Sequence, residues 1–358
     1  MASVTLHDKY SDKIAAAYSS ESFIKGRLSD DYDFTGVRTV KISTPVTVPM
    51  NDYTRSGANR YGTPAEMGDT VQELSLSQDK SFSITVDKGN NMDQNNIKPA
   101  AKMLRLQIRE QAVPEMDRYC FLKMCRSAGR VVANATAISK TNVARQIMDG
   151  TEALDNAEVP SEGRTLFVPA STYKFLKLCD EFGKAGDTLG QKAYSRGIVG
   201  SFDGMDVVKV PAGRWPKYCN FIIAHRSAAI IPVKLDETRV HEDPPGISGN
   251  LLEGREYYDL FVIGARSGGI YAEIDTGSNR GTICATPTCS VSDGTATLAC
   301  STSGATVVYT LDGSDPRYSR TATAGTSVSV SSGDRIRAYA FKNSEGVYPG
   351  GLLDHTVA

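Results

Sequence analysis

The chain is poor in the residues that most chemistry needs. It holds one tryptophan, Trp215, and four histidines, His7, His225, His241 and His355, none at the spacing of a zinc-ligand pair. There is no Gly-x-Ser-x-Gly turn to expose a nucleophile and no Gly-x-x-x-x-Gly-Lys-Ser/Thr phosphate loop, so serine-hydrolase and P-loop chemistry have no support. Gly197, Gly200 and Gly204 are wrongly spaced for a dinucleotide loop and lead into a strand pattern, which makes them turn residues. Asp30-Asp31-Tyr-Asp33 and Asp312-Gly-Ser-Asp315 hold enough oxygen for a cation, but such clusters serve turns more often. No catalytic residue, cofactor or metal is therefore expected.

Charge of one sign is also missing: 40 Lys and Arg stand against 41 Asp and Glu. A net charge of -1 provides no field to recruit nucleic acid or an anionic membrane. No run of about 18 apolar residues occurs, and Met1 to Lys9 lacks a basic-then-apolar leader pattern. The expectation is a chain made and kept in the cytoplasm. Seven cysteines, an odd number without a Cys-x-x-Cys pair, read as free thiols in a reducing compartment.

What is present is the composition of a folded protein, 40% hydrophobic and 23% charged, and 358 residues are enough for two or three domains. Residues 1–50 read as an extended arm with one helical stretch at Lys9–Tyr18, and Pro45 and Pro49 confine residues 41–50 to an edge strand. A polar stretch, Asp52 to Gly62, follows. The period-2 segments Leu74–Leu76 and Phe82–Val86, separated by Ser77-Gln-Asp-Lys80, predict a β-hairpin that is too polar to bury itself.

After the loop Gly89–Asn96 a long helix is expected, capped by Asn95 or Asn96, with Pro99 in its first turn, Pro114 as an interruption and Gly129 as its end. Val131–Ile138 reads as a strand. Helices are expected after Ser139 and Ser171, and strands at Arg164–Val168, Met205–Val210, Phe221–Ala224, Ala228–Pro232, Tyr257–Ile263 and Gly269–Ala272. Without regular βαβ alternation the class is α+β. From Ile283 onward Ser, Thr, Ala, Gly and Val dominate and turns recur about every ten residues, the rhythm of a β-sandwich.

This order of arm, hairpin, long helix, mixed body and returning strands resembles the major capsid proteins of tailed phages with the Hong Kong 97-type fold. The resemblance implies an N-terminal arm at 1–50 and a capsid body at 51–282. Within the body it places the extended E-loop at about 62–90, the spine helix at about 96–129, the axial domain at about 139–218 and peripheral-domain strands at about 221–273. Val307-Val-Tyr-Thr-Leu-Asp-Gly-Ser-Asp-Pro316 and Ser332-Gly-Asp-Arg-Ile-Arg-Ala-Tyr-Ala-Phe-Lys-Asn-Ser-Glu-Gly346 resemble the chitobiase C-terminal type of immunoglobulin-like module, placed at 283–358. Ile336, Ala338 and Ala340 are expected to alternate inward there, with Asp312-Gly313 as a turn.

The function implied is self-assembly of pentamers and hexamers into an icosahedral head that encloses DNA without sequence-specific binding. Scaffolding, portal and decoration proteins are the implied partners, the virion is the destination, and the C-terminal domain lies exposed on the shell. Arg55, Arg60, Asp79 and Lys80 are the candidate inter-subunit contacts, with Lys80 near the hairpin tip. The other readings are a tail or tail-tube subunit, and a glycan-active enzyme or glycan-binding protein. The latter draws on the module but finds no acid pair in an aromatic cleft.

Overall fold

The computed structural model describes residues 21–29, 31–32, 39–48, 50–64, 66–93, 99–179, 198–278 and 280–358. The expected helix at Lys9–Tyr18, the Asn95 and Asn96 caps and Gly197 lie outside them. A mixed six-stranded sheet organises the body, in the order Arg130–Asn134, Ile270–Asp275, Cys219–His225, Arg164–Pro169, Met205–Val210, Ile198–Phe202. Its central strands are near-continuous apolar runs because both faces are covered. Along Cys219–His225, Ile222 and Ala224 face one cluster with Phe121 and Met124 of the long helix, while Phe221 and Ile223 face another with Ile147 and Leu154. The second face is covered by the helices Val143–Asp155 and Ala170–Lys177.

Caps differ from expectation at three of these helices. Asn142, not Ser139, occupies the N-cap of Val143–Asp155, and Pro169 rather than Ser171 precedes Ala170–Lys177. Pro99 is itself the N-cap of the long helix, its carbonyl accepting from Lys102 and Met103. Pro169 and Pro99 act as stops because their fixed φ and missing N–H suit only the edge of a helix.

The long helix runs from Ala100 to Arg126 as one rod of roughly 40 Å. Pro114 does not break it. Residues Ile108–Ala112 form a π-turn just before it, in which the Val113 N–H reaches back to the Ile108 carbonyl. One widened turn relieves the clash a proline ring makes with the preceding turn, so the helix continues.

The predicted hairpin is not formed. Asp69–Ser75 pairs with Thr39–Pro45, from Thr39 opposite Ser75 to Pro45 opposite Asp69. Gln78–Asp87 pairs instead with Gly249–Tyr258, which also pairs with Val233–Glu242. Burial decides this: Leu74 and Leu76 go into a cluster with Ile42, Ile230 and Ile263, and Ser77 is held by Asp259, so the chain crosses between sheets where a turn was expected. The expected loop at Asp243–Gly249 joins the two long strands that the sequence reading missed.

From Thr282 the described residues form three small sheets: the parallel pair Thr282–Ile283 with Val347–Tyr348, the three strands Thr288–Ser292, Thr295–Ala299 and Ser327–Ser329, and the four strands Thr323–Ala324, Thr306–Thr310, Arg335–Phe341 and Leu353–Thr356. Ile336, Ala338 and Ala340 alternate into their shared core, and Gly313 takes φ +75° in the turn after Asp312. The sandwich is docked on the body. Tyr348 is fully buried in the body's core, with its hydroxyl on the Lys217 carbonyl at 2.5 Å. None of the seven cysteines is in a disulfide, and five of them are buried.

Candidate inter-subunit surface

The antiparallel pair Thr39–Pro45 and Asp69–Ser75 carries a long loop, and among the described residues six exposed large apolar side chains lie in it. Val46, Val48, Met50, Tyr53, Tyr61 and Met67 are all exposed, Met50 completely and Tyr61 by 85%. Tyr53 and Tyr61 meet edge to face with ring centroids 5.0 Å apart. Backbone bonds from Thr54 to Arg60 and from Gly62 to Asn59 close the tip, with Gly57 and Gly62 at positive φ. Contiguous exposed apolar surface of this kind is a candidate contact surface.

Arg55 and Arg60 sit at this tip, Arg60 with its Nε 3.3 Å from the Gly57 carbonyl and the rest of its guanidinium in solvent. Among the described residues neither has a carboxylate partner. The structure separates them from the other two candidates. Asp79 is already engaged within its own chain, where Arg255 donates to its two oxygens at 2.9 and 2.6 Å and holds the carboxyl below its ordinary range. Lys80 lies opposite Glu256 at the body end of the three-stranded sheet, not at a tip. The far end of that sheet is the Asp243–Gly249 turn with the short helix Lys88–Asp93.

A second surface lies where this sheet meets the π-turn. Glu110, Glu115, Glu256, Lys80 and Arg118 line a cleft of about 420 Å³. One oxygen of Glu110 is buried with no hydrogen-bond partner. Glu256 stands opposite Asp236 in register, and its pKa is pushed up by burial and then by that like charge, against a smaller opposing effect of Lys25. The adjacent helical segment Ala100–Gln107 buries no residue in its own chain, although Met103, Leu104 and Leu106 lie on it. Cations and apolar rings are thus concentrated on the loop, and carboxylates with half-covered apolar side chains on the helix.

Below these surfaces the parts are tied by two buried carboxylates. Asp259 accepts from Ser77 N and Oγ at 3.1 and 2.9 Å, from the Tyr119 hydroxyl at 2.7 Å, from Leu260 N, and from Lys123 Nζ. Asp117 accepts from Ser22 Oγ at 2.6 Å, Phe23 N at 3.1 Å and Arg214 at 2.8 Å, which pins residues 21–23 to the long helix. Neither is solvent-accessible.

The sequence reading identified Arg55 and Arg60 but took residues 52–62 only as polar, missing Tyr53 and Tyr61, whose clustering with Val46, Val48 and Met50 in a proline-flanked loop was the available signal. The remaining chemical candidates have structural roles. Asp312 accepts from Ser314 and Thr321, Asp315 pairs with Arg317, and Asp31 lies 3.7 Å from Arg266; Asp30 and Asp33 lie outside the described residues. Trp215 donates to the Cys219 carbonyl at 2.7 Å and packs on Phe121 in the core. Among the described residues no three His, Cys, Asp or Glu side chains converge as a metal site, and no helix is long and apolar enough to cross a membrane.

Solved structures share this architecture. A chain from Mycobacterium phage Che8 superposes with TM-score 0.57 at 18% identity, covering 76% of this chain and 98% of that one. The capsid structure of the cyanophage P-SCSP1u matches with TM-score 0.59 at 12% identity, over 76% and 93% of the two chains. The mature capsid of bacteriophage PhiM1 matches with TM-score 0.59 at 14% identity, over 77% and 93%. No curated protein sequence matches the chain. Residues 287–347 match the chitobiase/beta-hexosaminidase C-terminal domain family. The chain therefore has the phage-capsid fold over about three quarters of its length, followed by an immunoglobulin-like β-domain of the chitobiase C-terminal type.

Proposed function

We propose that the chain is the major capsid subunit of a tailed phage, many copies of which self-assemble as pentamers and hexamers into an icosahedral shell around DNA. The observation that carries this reading is the near-complete coverage, 93%, of two chains from phage capsid structures by about three quarters of this chain. The uncovered apolar loop and the unburied half of the long helix support it, since both need a second copy to leave water. In this reading the extended loop is the hairpin Thr39–Ser75 rather than residues 62–90, the helix Ala100–Arg126 is the spine, residues 139–218 form the axial domain, and the strands within 221–273 close the peripheral domain. Residues 283–358 lie exposed on the shell. Arg55 and Arg60 are inter-subunit contacts, setting register against acidic partner surface, and Lys80 contributes from the sheet base. The role is structural and non-catalytic, with the virion as destination and scaffolding, portal and decoration proteins as further partners.

The test is negative-stain electron microscopy and light scattering of the purified chain, expressed alone and with a scaffolding protein. Closed shells, or pentameric and hexameric capsomers, are the expected result. A monomer under every condition, or rings stacked into tubes, overturns it.

A further inference from the structure

A cleft of about 320 Å³ opens between the end of the long helix and the outer face of the C-terminal sandwich. Four cations line it, Lys123 and Arg126 from the helix and Arg317 and Lys342 from the sandwich, and no carboxylate does. In a chain whose charges nearly cancel, this is a local excess made by bringing two domains together.

The four cations are not equally occupied. Lys123 pairs with Asp259 and Arg317 with Asp315. Arg126 and Lys342 have no carboxylate partner among the described residues: Arg126 donates to the Ser344 carbonyl at 2.7 Å and Lys342 to the Ser303 carbonyl at 3.0 Å. The Nε of Arg126 is buried without a hydrogen-bond partner. An unmet buried guanidinium N–H is costly unless an acceptor reaches it.

The wall between these cations is aromatic. In the strand Arg335–Phe341 the residues Ile336, Ala338 and Ala340 point into the sandwich core, which turns Tyr339 and Phe341 outward to the cleft. Their rings lie stacked, 5.7 Å apart and inclined by 22°. Two near-parallel rings at i and i+2 on one strand face form an aromatic wall on which a planar ring system can extend the stack, and the flanking cations suit a phosphate.

We propose that this cleft binds one nucleotide unit, with the base against Tyr339 and Phe341 and the phosphate between Arg126 and Lys342. The unit is either a free nucleotide or one residue of a single strand. An acidic peptide would use the cations but leave the aromatic wall idle. The inference stands on the cleft alone and does not depend on the capsid reading.

Equilibrium dialysis of the full chain against AMP, adenosine and inorganic phosphate tests it. AMP is expected to bind at least about tenfold more tightly than either fragment, since stacking and charge act together. Lys342→Glu is expected to weaken AMP at least about tenfold, and Phe341→Leu, which keeps bulk but removes the ring, by about tenfold, both with unchanged thermal unfolding. A short oligothymidylate binding more tightly than TMP assigns the site to single strands, and equal binding assigns it to free nucleotides. AMP binding no tighter than phosphate, indifference to both substitutions, or equal competition by polyglutamate overturns the proposal.

Discussion

The guanidinium of Arg317, carried by the C-terminal sandwich, donates to the carbonyl oxygen of Gly129 at 3.0 Å, just beyond the end of the long helix. A second bond reaches Ala128 O at 3.3 Å, and the neighbouring Tyr318 hydroxyl takes Ser127 O at 2.8 Å. The last carbonyls of a helix have no partners of their own and carry the negative end of its dipole. Here donors from another domain meet the carbonyls of Ser127, Ala128 and Gly129, which directly follow the last helical residue Arg126, so the helix end is tied to the sandwich. Arg317→Ala leaves the Ala128 and Gly129 carbonyls without the guanidinium and takes it from the Asp315 carboxylate, which keeps the backbone N–H of residue 317, and is expected to cost about 2–3 kcal/mol. Urea denaturation checks the cost, and faster proteolysis between residues 276 and 286 reports the undocking. Arg317→Lys, which keeps charge but loses the fork, is expected to fall between.

Gly129 sits at the same junction for a steric reason. A Cβ there would stand 2.2 Å from the Ser267 carbonyl oxygen, backbone that cannot rotate away. Gly129→Ala is expected to destabilise by about 1–3 kcal/mol, toward the upper end. Equal thermal midpoints for the variant and the parent chain would refute this.

Asp259 gathers the crossover at Ser77, the long helix through Tyr119 and Lys123, and the sheet strand that ends at Tyr258. Asp259→Ala strips five donors of their acceptor and is expected to cost about 3–5 kcal/mol, whereas Ser77→Ala, losing one hydroxyl donor, is expected to cost about 1 kcal/mol. Chemical denaturation of both variants gives the comparison.

Glu256 gives a pH signature. Its pKa is raised above the ordinary 4.5 by burial and by Asp236. A carboxyl raised in the folded state binds its proton more tightly there, so its stabilisation is complete below 4.5 and is lost as pH rises through the higher folded value. Glu256→Gln is therefore expected to be more stable than the parent chain at neutral pH, with the gap closing below pH 4.5. Thermal midpoints across that range measure it. Asp79 and Asp354, whose pKa values are lowered by Arg255 and Arg335, act in the opposite sense, losing stability as pH falls through the acid range.

The loop tip separates folding from association. Tyr53, Arg55, Arg60 and Tyr61 are exposed, and the ring contact of Tyr53 with Tyr61 and the bond of Arg60 to Gly57 stay within the loop. The double substitution Arg55→Glu with Arg60→Glu, and separately Tyr61→Ser, are each expected to change unfolding by less than about 0.5 kcal/mol. Particle yield by light scattering is expected to drop sharply in both. Normal shells from both variants would remove this loop from the assembly interface.

Local pattern alone determined the long helix, the buried strands Arg164–Pro169 and Cys219–His225, the inward alternation of Ile336, Ala338 and Ala340, and the change to β-sandwich after residue 282. Each is written in spacing, turn residues and propensity within a short window. The partners of Leu74 and of Phe82 were not legible, because both segments have the period of a strand and nothing nearby says which distant strand each will meet. The choice came from where Leu74 and Leu76 could be buried, among Ile42, Ile230 and Ile263, and from Asp259 holding Ser77 from 182 residues away, all contacts outside a local window. The same limit applies to the strands Val233–Glu242 and Gly249–Tyr258, whose many charged residues mask the strand pattern. Only the folded chain sets Arg317 against Gly129, and Lys342 beside Arg126. Charges that cancel in a count can be sorted in space, and a sum over composition carries no information about that sorting.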